Sequence, residues 1–142
     1  MAAISASDVR ERLVLDSQFG GGVTTWAPAT WYVGISTTQP NDDGTNFTEP
    51  VGGAYARVAA TNNATNWPAA TTTAGATTKK NGVAFTFPTP SANWGAIGWY
   101  GLFTAATGGS PEYTNPLDTT ITVNSGNTPV EFAISALVVE VQ

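Results

Sequence analysis

The chain has 142 residues, 11% of them charged, a formal net charge of −5, and neither Cys nor His. These absences exclude thiolate and imidazole catalysis, disulfides, and zinc or haem sites of the usual kind, while leaving the redox compartment open. The five cations, Arg10, Arg12, Arg57, Lys79 and Lys80, form no basic stripe, which argues against nucleic-acid partners and against adhesion to an anionic membrane surface.

In chain order, residues 1–22 read as a helical arm and 23–142 as one β-rich domain, a size that buries a core without staples. MAAISASDVRERL has no apolar core of its own, so no secretory leader is expected. No apolar run approaches the roughly 20 residues of a membrane span. A helix is predicted over about residues 6–18: Asp8 and Glu11 fit a D-x-x-E cap, with Ser5 and Ser7 as rival N-caps. Gly20-Gly21-Gly22 stops it.

The remainder has β character. Trp31, Val33 and Ile35 alternate with Tyr32, Gly34 and Ser36, and Tyr55 to Ala59 forms a short strand. Residues 61–79 are Thr-, Asn- and Ala-rich and read as a long surface loop or an extended edge. Val83, Phe85 and Phe87 alternate up to Pro88. AIGWYGLF, residues 96–103, is almost wholly apolar and therefore central. Ile121 and Val123, then Val130, Phe132 and Ile134, then Leu137, Val139 and Val141 complete the pattern. With turn signals at QPNDDG, PVGG, KKNG, TGGSP and NSGN, the expectation is an all-β fold: an antiparallel β-sandwich or jelly-roll-like domain with one short N-terminal α-helix.

Candidate chemistry is sparse. Asn41-Asp42-Asp43-Gly44-Thr45-Asn46 contains oxygen ligands suited to Ca²⁺, but the spacing is not that of an EF-hand. Asx turns account for the same residues, so no metal and no cofactor is expected. Ten carboxylates are scattered along the chain without a spacing that singles out a glycosidase pair. Ser and Thr lack a histidine base, and Lys79 and Lys80 sit in a polar NG turn where desolvation is not expected. The aromatics Trp26, Trp31, Trp67, Trp94, Trp99, Tyr32, Tyr55 and Tyr100 suit either a sugar platform or core packing. Trp67 and Trp94, in the loop contexts NWPA and NWGA, are the candidates for partner contact, together with Arg57, Asp42 and Asp43. Arg57, in YARV, is read as a clamp across the preceding loop, paired with Glu49 or Asp43.

Three stretches, TWYVGISTTQPNDDGTNFTEPVGGAYARV, NGVAFTFPTPSANWGAIGWYGLFTAATGG and TVNSGNTPVEFAISALVV, resemble in order and spacing a family of small tailed-bacteriophage virion proteins often labelled phage tail fibre protein. The chain departs from that pattern at Thr104, where members often have Asp, and at SPEYTNPL, where members often have an apolar stretch. The resemblance implies a virion component made in the host cytoplasm and brings no catalytic residue with it. Because 142 residues without heptads or repeats cannot span a long fibre alone, the expected role is non-enzymatic capsid decoration. The alternative is a tail-fibre or tail-tip component touching the host, through glycans in one version. The expected partners are further copies of the chain, as a trimer or higher oligomer, and the major capsid protein or tail proteins.

Overall fold

A computed structural model describes residues 5–20 and 27–141; Gly21, Gly22 and Trp26, used in the sequence reading, lie outside them. The elements are β1 (Ser5–Ala6), α1 (Asp8–Gln18), β2 (Thr30–Ser36), β3 (Val58–Thr61), β4 (Thr71–Thr73), β5 (Ala76–Lys80), β6 (Phe85–Thr86), β7 (Gly95–Phe103), β8 (Tyr113–Val123), β9 (Glu131–Phe132) and β10 (Val138–Val141). They form a five-stranded sheet in the order β1-β8-β7-β2-β3, a three-stranded sheet β10-β5-β4 and a pair β6-β9. Every pairing is antiparallel, so the all-β expectation with one short helix holds.

One core unites the three sheets. Val33, Ile35, Ile97 and Leu102 from the large sheet meet Phe85, Phe132 and Leu137, with Val139 at the margin. The apolar run 96–103 lies centrally as its composition requires, since β7 has β8 on one side and β2 on the other.

Three expectations are corrected and one is narrowed. Of the caps considered, Ser7 is the N-cap of a helix that begins at Asp8, its side chain accepting from the Arg10 N–H, while Asp8 and Glu11 occupy the first turn, where the helix dipole favours acids. The strand expected at 55–59 starts three residues later, because the turn through Gly52, Gly53 and Ala54 runs into Tyr55, whose N–H donates to Gly52 O. Residues 71–80 form a hairpin whose second strand pairs with β10; the Thr72 and Thr77 hydroxyls meet at 2.9 Å across it. The Val130–Ile134 alternation fails after Phe132. Ser135 takes a left-handed φ of 67°, and the tight turn there leaves Ile134 exposed.

Strand β8 is far longer than Ile121–Val123, because YTNPLDTT lacks the alternation that would mark it as a strand. Ile97 pairs with Ile121 and Trp99 with Pro116, so residues 117–120 stand across from Gly98 alone. Proline, which has no N–H to give to the ladder, is tolerated in a strand at such irregularities.

The N-terminal segment is built into the same sheet. β1 pairs with the start of β8, and Ser7 N–H donates to Glu112 O. Helix α1 buries Arg10 while Arg12 stays exposed, and hydrocarbon at its end faces out: Arg10 is 1% exposed, against 58% for Leu15 and 79% for the C-cap Phe19. The Arg10 guanidinium lies 5.0 Å from the Trp31 ring centre and 5.6 Å from that of Tyr113. Its Nε approaches Glu112 Oε2 at 2.9 Å, off the N–H axis, as an ion pair.

Candidate functional site

Strand β2 leads into the polar loop 37–57, whose hydroxyls and amides hydrogen-bond among themselves. Ser36 Oγ accepts from the Thr38 and Thr48 N–H groups at 3.1 and 2.8 Å and donates to Thr38 O. At the tip, Asp43 Oδ1 accepts from the Thr45 N–H at 2.9 Å and from the Thr45 hydroxyl at 2.6 Å. That is an Asx turn, in which the side chain mimics a backbone turn. The same Thr45 hydrogen bonds, side chain first, hold the Asp43 carboxyl below its ordinary range. Asp42 and Asp43 are both exposed, and no cluster of three or more acidic residues that could hold a metal occurs among the described residues.

The loop returns through Glu49, Tyr55 and Arg57. Arg57 Nε donates to Glu49 Oε1 at 2.8 Å and Nη2 to Oε2 at 2.7 Å, a bidentate fork. Its remaining nitrogen, Nη1, donates to Ala105 O and Gly108 O at 2.7 and 2.9 Å. The guanidinium carbon lies 3.4 Å from the Phe103 ring centre. Tyr55 OH donates to Glu49 Oε1 at 2.7 Å and accepts from the Ile35 N–H at 3.1 Å. Burial pushes the Tyr55 phenol far up, and the Glu49 carboxylate adds to the rise. Of the two carboxylates expected for Arg57, it is Glu49 and not Asp43 that pairs with it.

Gly34 explains why this cluster closes. A Cβ there would stand 2.8 Å from the Phe103 ring and 3.0 Å from Glu49 Oε1, so only glycine lets the clamp lie flat on β2. Gly53 is similarly constrained, with a φ of 60° and Trp94 Nε1 at 2.9 Å from where a Cβ would be. The string TEPVGGAYAR thus supplies an acid, a phenol and a cation that converge, and GLFTAATGG supplies the ring and the carbonyls that receive them. In the sequence Tyr55 is one of eight aromatics suited to either a sugar platform or core packing. Its i, i+2 spacing from Arg57, which puts both side chains on one side of an extended chain, was the available signal.

The two loop tryptophans are corrected. Trp67 is 5% and Trp94 4% exposed, so neither offers a face to a partner. Trp94 Nε1 donates to Gly53 O at 2.9 Å, and its ring meets Tyr55 edge-on at 5.4 Å. Trp67 leans on Phe85, and its Nε1 has no hydrogen-bond partner among the described residues. Loops that fold back over a sheet bury their aromatics as a strand does, because these rings remove the most apolar area from water. Trp31, Trp67, Leu102 and Tyr113 also line an apolar cavity of about 280 Å³. Lys79 is half-buried and Lys80 exposed.

The arrangement is suited to holding shape. The clamp's acid and cation are engaged with each other and with backbone carbonyls, so neither is poised to move a proton to a substrate. Comparison with known proteins agrees with that character. A family model described as Gp80, podophage GP4 fiber I protein gp80, matches residues 5–140. No curated protein matches the chain.

Proposed function

The chain belongs to the Gp80 family, podophage GP4 fiber I protein gp80, and from that premise we propose that it is a non-enzymatic component of a podophage tail fibre. The match across 5–140 carries this reading. In this proposal the chain self-associates as a trimer or higher ring, docks on other tail proteins, and presents its polar loops outward. The interlocked loop 37–57 supports it, since a loop fastened to a neighbouring loop by a bidentate arginine keeps its outer surface fixed for repeated contact. A low-charge, mildly acidic surface supports it too, by limiting adhesion to DNA and to cell envelopes before the specific contact forms.

Capsid decoration, first in the sequence reading, is the competing role; the family's fibre description favours the tail. Imaging of intact virions with this chain located, together with its copy number by quantitative mass spectrometry, tests the choice. The fibre role expects copies in a small multiple of the tail's rotational symmetry. Copies in register with the major capsid protein over the whole shell would overturn it.

A further inference from the structure

Asn81 and Gly82, directly after β5, are the one Asn-Gly pair in the sequence. Asparagine is thermally labile, and most labile before glycine, whose backbone nitrogen no side chain obstructs. This chain carries the pair at a place where neither residue can be exchanged. Asn81 is 1% exposed. Its Nδ2 donates to Val83 O and Ala133 O at 2.8 Å and to Phe132 O at 3.3 Å, and its Oδ1 accepts from the Leu137 N–H at 2.9 Å. Its backbone N–H donates to Leu137 O at 3.2 Å, and its carbonyl accepts from the Ser135 N–H at 2.9 Å. One side chain thus joins the end of β5 to the approaches of β6 and β10 and to the end of β9. At Gly82 a Cβ would collide with Thr65 O and stand 2.7 Å from Pro68 Cγ, so only glycine fits.

The same contacts hold the reaction back. Deamidation starts when the Gly82 nitrogen, its proton taken by a solvent base, attacks Asn81 Cγ. A C–N bond forms, the Cγ–Nδ2 bond breaks, ammonia leaves, and a succinimide results. Water then opens the ring at one carbonyl to give aspartate, or at the other to give isoaspartate. In the folded chain the Gly82 N–H is donated to Asn66 O at 2.8 Å. Both ends of the Asn81 amide are tied to backbone, and solvent base does not reach a residue so buried.

We propose that Asn81-Gly82 is a fold-gated modification site: closed in the native chain, it deamidates once the junction of β5, β9 and β10 opens, and its product bars the chain from folding again. Aspartate has no N–H for Val83 O and Ala133 O, and it sets a buried carboxylate against carbonyl oxygens. Isoaspartate also reroutes the main chain through the side chain and breaks the turn. Unfolding then becomes irreversible by chemistry and not only by aggregation. A copy that fails to fold is withdrawn from assembly, while a folded copy keeps its amide. This holds for a fibre component and for a shell component alike.

The test holds the full chain, warm and mildly alkaline, in native buffer and in urea. Mass spectrometry of the peptide containing residues 81 and 82 follows the loss of the amide. Dilution from urea, with the fluorescence of the buried Trp67 and Trp94 as readout, follows the fraction that refolds. In urea, Asn81 is expected to deamidate ahead of every other asparagine. In native buffer its rate should be lower by about a thousandfold or more, because the reaction follows the population of the open form, and subdenaturing urea should raise it. Refolding yield should fall in step with the amide lost at Asn81, and freshly diluted chain should refold. Asn81→Asp, made directly, should give no folded protein at neutral pH. The proposal is overturned if the folded chain loses this amide as fast as the unfolded one, if chains deamidated at Asn81 refold like fresh ones, or if Asn81→Asp melts like the parent.

Discussion

Two arginines with buried side chains fasten two different parts of this molecule. Arg57 spends its fork on Glu49, gives Nη1 to two carbonyls and covers Phe103, so strand β2, the loop 37–57 and the loop after β7 become one unit. Arg10 pins α1 to the sheet by an ion pair with Glu112 and by contact with two aromatic rings, while Leu15 and Phe19 of the same helix face outward. Arg57 ties together segments that connect strands of the sheet, whereas Arg10 ties a helix onto the sheet. The difference implies a clamp that yields only when the sheet yields and a helix that can leave the sheet standing.

The largest effect expected is from Arg57→Ala. It leaves Glu49 facing a phenol without its cation, and loss of one partner of a buried pair costs about 3–5 kcal/mol. Chemical denaturation should show it as a loss of global stability, and Arg57→Lys should recover little, because an ammonium cannot make the bidentate fork. If Arg57→Ala melted like the parent, the clamp would be ornamental and the contrast with Arg10 would collapse.

Tyr55→Phe comes next, at about 1–3 kcal/mol, since it leaves the Ile35 N–H unmatched in the core. It also sharpens the comparison through pH. Burial raises the phenols of Tyr55, Tyr100 and Tyr113 above their ordinary value of 10.0. The folded chain therefore holds protons that the unfolded chain releases. This stability is complete below the unfolded value and is lost as pH climbs above it. Denaturation midpoints should stay level up to about pH 10 and then fall, and Tyr55→Phe should make that fall shallower.

Arg10→Ala breaks an equally buried pair, but its global cost should be smaller than that of Arg57→Ala because it is capped by the energy with which α1 docks. Its signature is local: amide hydrogen exchange of residues 8–18 should rise far more than that of β7. Equal rises in both would show that the helix is integral to the core and that the two arginines are equivalent.

The smallest effect belongs to Asp43→Asn. Asp43 is fully exposed, and its lowered carboxyl reflects chiefly the hydrogen bonds from Thr45. A depressed folded value means that its contribution is present above the unfolded value and lost as pH falls through the folded one. At neutral pH the midpoint should be indistinguishable from the parent. Loop crosspeaks around Thr45 should move and those of Arg57 should not, which separates the loop tip from the clamp.

Much of the fold was legible because burial imposes periodicity. AIGWYGLF could only be a strand covered on both sides, and Trp31 to Ser36 announced its partner. Glu49 and Arg57 were legible as a possible pair because charges are so scarce in this chain. Asn81 was not. It reads as the polar end of KKNG, yet its side chain is a buried hub: Nδ2 donates to Val83 O and Ala133 O, and Oδ1 accepts from the Leu137 N–H. Nothing local to an asparagine distinguishes a turn from a junction between distant strands. Trp67 and Trp94 misled for the same reason, since their neighbours in the chain are turn residues while their neighbours in space are core.

By itself, then, the sequence determined an antiparallel β domain with a short helix at its start and no thiol or imidazole chemistry, because strand alternation, helix caps and residue inventory are properties of contiguous residues. Only the tertiary structure decided that β8 bulges across from Gly98, that Arg10 faces inward while Phe19 faces out, and that the buried Asn115 amide meets the Tyr100 hydroxyl. Each of those depends on which backbone group or ring arrives from far along the chain, and pairing between distant segments leaves no periodic trace in either one.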